Sequence, residues 1–171
     1  PAYCGVEVFG CDFAEGKDID DLLEVADKWN KWASKNNSQP YSGSVLQPYY
    51  YDDLDDETYW VGFSPSLAAQ GIVQSEWMSK GAKLQQEFDS VIPCKSHLQL
   101  AWTRVFDETE SPSSQGVVDF AGCAMLPDGS QEKLASADAK MNAFNAEIGS
   151  AVRIYRWYPM QGANADTPEF Y

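Results

Sequence analysis

The stretch Gly5-Val6-Glu7-Val8-Phe9-Gly10-Cys11-Asp12-Phe13, with the helical run Ile19, Leu22, Leu23, Ala26 and Trp29 behind it, decides the fold because it returns 112 residues later without a gap. Val6, Gly10, Cys11, Leu22, Lys28 and Asn30 reappear as Val118, Gly122, Cys123, Leu134, Lys140 and Asn142. Glu7 aligns with Asp119, Trp29 with Met141 and Trp32 with Phe144. The first part of each copy alternates as a strand does, and the second repeats at helical spacing. The unit is therefore strand-to-helix, and it predicts Cys11 and Cys123 at equivalent strand ends. Leu22 and Leu134 are predicted at equivalent buried helix positions.

Working outward, Asp18 is placed to cap the first helix. Residues 36–43 are turn-rich, and a second strand runs through Val45 and Leu46 into Tyr49, Tyr50 and Tyr51. The acidic run 52–57 separates it from a third strand over residues 59–63. A long second helix follows, with Trp77, Gly81, Leu84, Phe88 and Val91 on one stripe, and Pro93 ends it. Residues 94–106 read as a fourth strand, and residues 107–116, rich in Ser, Glu and Pro, as a linker. A strand over 117–125, a helix carrying Leu134, Ala137, Met141, Phe144 and Ile148, and a last strand over 152–159 complete the order. The tail, 161–171, has no pattern and reads as loose or draped.

The order gives an α+β chain of ferredoxin-like βαβ repeats: a βαββαβ unit over 1–106, the linker 107–116, and an additional βαβ unit over 117–160 packing on the first. Antiparallel sheets with helices on one face leave the other face bare. That face is expected to meet a second sheet, from the third unit or from another chain. In element order and repeat, residues 5–159 resemble the dimeric α/β-barrel superfamily, in which two ferredoxin-like sheets face each other around a pocket. The resemblance implies an α/β-barrel-like arrangement with an inter-sheet cavity. The single extra βαβ unit departs from the family's one or two complete units and leaves open whether a barrel closes within one chain or across a homo-oligomer.

A ferredoxin-like sheet places its first and fourth strands side by side and antiparallel, which brings Cys11 and Cys94 to adjoining ends. The two are either a disulfide or packed thiols, according to the redox compartment. The chain would be periplasmic or secreted if they are bridged and cytoplasmic otherwise. No leader pattern precedes the first strand. Cys4 and Cys123 carry no comparable argument, and the four cysteines show no metal-ligand spacing, so no metal is expected.

A formal charge of −14 argues against nucleic acid or anionic membrane surfaces as partners. No apolar run is long enough to span a bilayer. The 171 residues suffice for a proper core. The acidic run 52–57 lacks an EF-hand's glycine and terminal glutamate spacing and reads as a solvated loop. Asn36-Asn37-Ser38 fits a glycosylation acceptor, a motif too short to carry weight.

Six Trp, nine Tyr and eight Phe make the strands unusually aromatic. Such walls suit flat, apolar or sugar ligands, although strands also select aromatics for packing. Tyr50, Trp60, His97, Trp102 and Arg104 are the candidate ligand-binding residues, with His97 or Arg104 as the polar anchor. His97, the only histidine, is either a general base in a sheet-walled pocket or a hydrogen-bonded strand residue. Pro1 is a second catalytic candidate: a terminal proline heading a βαβ repeat looks like the tautomerase superfamily, where that amine is the general base. No P-loop, nucleophile triad or dinucleotide fingerprint is present, and no cofactor is expected. The reading is a protein that binds a small apolar or aromatic molecule. Its alternatives are a cofactor-independent oxygenase-like or isomerase-like enzyme using His97, a tautomerase using Pro1, and a structural assembly subunit.

Overall fold

The computed structural model describes residues 3–51, 55–106 and 116–171. Pro1, the acidic residues Asp52 and Asp53, and nearly all of the predicted linker (107–115) lie outside the described residues. The chain forms β1 (Cys4–Cys11), α1 (Ile19–Asn36), β2 (Ser42–Leu46), β3 (Thr58–Ser64), α2 (Leu67–Lys80), α3 (Ala82–Asp89), β4 (Cys94–Phe106), α4 (Gln131–Glu147) and β5 (Ile154–Gln161). The strands make one antiparallel sheet in the order β2-β3-β1-β4-β5. The first four strands follow the ferredoxin-like order, and β5 extends the sheet beyond β4.

Local chemistry accounts for the helices. Asp18 caps α1 by accepting from the backbone N–H groups of Asp20 and Asp21, while the Asp21 carboxylate accepts from the Asp18 N–H. Leu22, Val25 and Trp29 then fall on one face and are buried, each stabilising by about 1.5–3 kcal/mol. The predicted second helix is two, α2 and α3, divided at Gly81. A Cβ on Gly81 would run into the Trp77 ring and backbone, so the close approach of Trp77 to the break requires glycine. The predicted stripe still faces inward, with Leu84, Phe88 and Val91 buried and Trp77 packed against them.

The 112-residue repeat survives only in its helical part. α4 occupies the stretch equivalent to α1, but residues 117–122 form no strand, and Cys123 makes a single bridge to Phe170. The predicted third βαβ unit is thus an α4–β5 pair preceded by a segment that forms no strand. No second sheet exists among the described residues, and the sheet is not closed into a barrel: β5 finds its partner on the free edge of β4, where antiparallel hydrogen bonds are open to it.

The tail is not loose. Tyr171 exchanges two backbone hydrogen bonds with Trp157 at 2.9 and 3.0 Å, which carries the pairing past β5, and Phe170 is buried. The helix-free face of the sheet buries Val6, Val61 and Leu100 within a ring that includes Tyr59, Phe63, Trp102, Trp157 and Tyr171.

Candidate functional site

Strand alternation sends Glu7, Phe9 and Cys11 of β1 toward the helices. Two rows of cross-strand neighbours then make a floor. Gly43, Gly62, Glu7, Gln99 and Gln161 form one row; Val45, Trp60, Phe9 and His97 form the next. The two glycines decide what happens beside Glu7. A Cβ on Gly62 would occupy the position of the Tyr41 hydroxyl, and one on Gly43 would overlap the Trp60 indole. Their bare backbone lets both aromatic side chains lie flat over the sheet and lets Tyr41 reach the carboxylate.

Glu7 is the centre of the polar cluster. Its Oε1 accepts from the Tyr41 hydroxyl at 2.7 Å, and its Oε2 from Gln74 Nε2 at 2.8 Å. His97 Nε2 lies 2.9 Å from the same Oε2 and must be the donor, since an ionised carboxylate only accepts. The Trp60 indole N–H donates to Tyr41 at 3.3 Å. Burial alone pushes the Glu7 carboxyl up, but the three hydrogen bonds and the attraction of His97 outweigh it and hold the group below its ordinary value. Burial, then the neighbouring Glu7 charge, keep the Tyr41 phenol well above its ordinary value, so it remains a donor. His97 is additionally fixed by stacking on Phe9, ring centroids 3.7 Å apart.

Above this floor a cavity of about 520 Å³ opens between sheet and helices. Trp29, Trp32, Trp60, Trp77 and Phe88 supply its aromatic wall, packed edge-to-face: Trp29 against Trp60 at 5.1 Å, Trp60 against Phe88 at 5.4 Å, Trp32 against Trp77 at 4.9 Å. Cys94 also lines it, and the Cys11–Cys94 disulfide ties β1 to the start of β4 beneath it. The Glu7 side chain is 7% exposed and that of His97 46%, so the pair runs from the cavity floor to its mouth.

The structure brings together two of the five residues read as ligand-binding, Trp60 and His97. Tyr50 stands in a loop at 89% exposure, away from the cavity lining. Trp102 and Arg104 alternate onto the helix-free face of β4. Sequence reading passed over Glu7, Tyr41, Gln74 and the helix tryptophans. The available signal was a lone carboxylate in phase with Phe9 and Cys11 on an inward strand face, where a charge is retained only with partners. Among the described residues no group of three His, Cys, Asp or Glu side chains is gathered as metal ligands would be, and no helix is long and apolar enough to cross a membrane.

No protein-family model and no curated protein matches the chain. A solved structure of a chlorite dismutase-like protein is similar over 99% of this chain and 77% of its own, at 13% identity and a TM-score of 0.47.

Proposed function

We propose that this protein binds a small, largely aromatic or apolar molecule in the cavity between its helices and its sheet. The observation that carries the reading is the cavity itself: about 520 Å³ walled by four tryptophans and Phe88, closing over one hydrogen-bonded polar cluster. An apolar wall with a few convergent polar groups is the usual build of a ligand site, with the wall supplying affinity and the polar groups orientation. The Cys11–Cys94 bond supports folding in an oxidising compartment, periplasmic or extracellular.

Four of the six tryptophans line the cavity, so occupancy is read directly. A panel of flat aromatic and apolar compounds is titrated against tryptophan fluorescence and melting temperature. A binder at 100 times its Kd should add about 2.7 kcal/mol of stability. Failure of every compound on both readouts overturns the reading.

The His97–Glu7 contact favours one second reading, a cofactor-independent proton-transfer enzyme of isomerase type. A carboxylate that orients and charge-stabilises an imidazole at a cavity mouth is how such a base is held. Exchange of the α-proton of a bound aromatic ketone in D₂O, abolished in His97→Ala with binding retained, would establish it. No exchange above the buffer rate in the wild type rejects it.

A further inference from the structure

Resting on the proposed binding role, we infer that the cavity is built for an organic cation, a substituted ammonium with an aromatic or apolar body. Among the described residues the cavity lining contains no Lys or Arg, and its single carboxylate is Glu7. An anionic ligand would find one imidazole, His97, already engaged by Glu7 at 2.9 Å, and would meet the Glu7 field in a low-dielectric setting, where that field is strong. A neutral ligand would gain only a dipole's share of it.

The wall has the matching property. Trp29, Trp32, Trp60, Trp77 and Phe88 carry ring quadrupoles whose negative faces attract cations, tryptophan most of all. A cage of this type beside a buried carboxylate attracts a cation from both sides. The net charge of −14 adds a long-range term that concentrates cations at the molecule.

The hydrogen bonds narrow the class further. Tyr41, Gln74 and His97 already occupy the Glu7 oxygens at 2.7, 2.8 and 2.9 Å. A guanidinium, which gains most from a bidentate carboxylate, finds Oε2 already holding two donors and only Oε1 with a site to spare. An alkylated ammonium has few or no N–H groups to satisfy and needs only the field and the ring faces. The three donors therefore act as positioning groups that keep the charge at the floor while the wall holds the ligand.

The test uses benzyltrimethylammonium and neopentylbenzene, which share one shape and differ by a nitrogen and its charge. Both are titrated at pH 8 and low ionic strength by tryptophan fluorescence and calorimetry, alongside the neutral panel above. The cation is expected to bind about tenfold or more tighter than its isostere, and Glu7→Gln should remove most of that preference. Equal affinities, a tighter isostere, or binding confined to neutral panel members overturns the cation inference and leaves the binding role standing. If nothing binds at all, both fall. The wild-type ligand pair decides the class even if Glu7→Gln folds poorly, and a folded Glu7→Gln protein that keeps the full preference removes Glu7 from the account.

Discussion

α1 and α4 stand in equivalent repeat positions yet are held by opposite means. α1 lays Leu22, Val25 and Trp29 into the core. α4 turns Met141, Phe144 and its C-cap Ile148 outward at 52–58% exposure and presents Leu134, Asp138, Asn142 and Asn145 to the rest of the molecule. Its hold is polar: Arg156 of β5 clasps Asp138 with two bonds of 2.6 and 2.8 Å, and Asn142 donates to the Val105 carbonyl at 2.7 Å. A shared pattern of apolar residues thus specifies a helix but not the direction it faces. α1 follows a strand with neighbours on both sides, so its apolar face has a floor. Among the described residues the segment before α4 makes a single β-bridge, at Cys123, and joins no strand of the sheet.

The largest expected effect falls in the α1 half. Reducing Cys11–Cys94, which spans 83 residues of sequence, should cost about 4 kcal/mol in the chain-entropy account. Thermal unfolding with and without reductant checks this, and an unchanged transition would mean that the tie between β1 and β4 adds nothing to their pairing. Next comes Leu22→Ala, expected to cost 2–5 kcal/mol (~3) by emptying a fully buried site. The repeat-equivalent Leu134→Ala is half-buried and should cost about 1 kcal/mol. Equal losses in urea unfolding would erase the contrast between the helices.

A third expectation concerns pH. The folded Glu7 carboxyl lies below its ordinary value, so its contribution is complete above the unfolded value of about 4.3 and is lost as pH falls through the lower folded value. Melting temperature measured from pH 6 downward should therefore fall below about pH 4.3, with a shallower fall in Glu7→Gln. Identical acid limbs would separate Glu7 from acid stability. The smallest effects belong to α4. Arg156→Ala should cost about 1 kcal/mol, its pair being part-exposed, and Phe144→Ser should shift stability by no more than about 0.5 kcal/mol. A large loss from Phe144→Ser would show that the outward face is covered in solution.

Much of the first half was legible in the chain. Alternation around Glu7 and Phe9, the Asp18 cap, the stripe through Trp77, Leu84 and Phe88, and the adjoining positions of Cys11 and Cys94 follow from local periodicity and one rule of strand order. The site was legible only at Trp60 and His97. Period-two alternation tells which residues share a face of one strand, but not which face the helices cover. Trp102 and Arg104 were therefore as eligible as His97 until the helix layer was placed.

Read from the chain alone, the elements other than the strand expected over 117–125 and the helix break at Gly81, their order and the α+β ferredoxin-like topology are in place, because backbone periodicity and turn chemistry are local. Tertiary structure alone decided that β5 joins the existing sheet instead of founding a second one, that α4 faces its polar side inward, and that the cavity lies under the helices. It also decided that Gly43 and Gly62 vacate a cross-strand row so that Tyr41 and Trp60 can lie over Glu7. These are matters of which surfaces meet, and burial energy depends on the area removed from water by distant parts of the chain. No spacing within a single element records it.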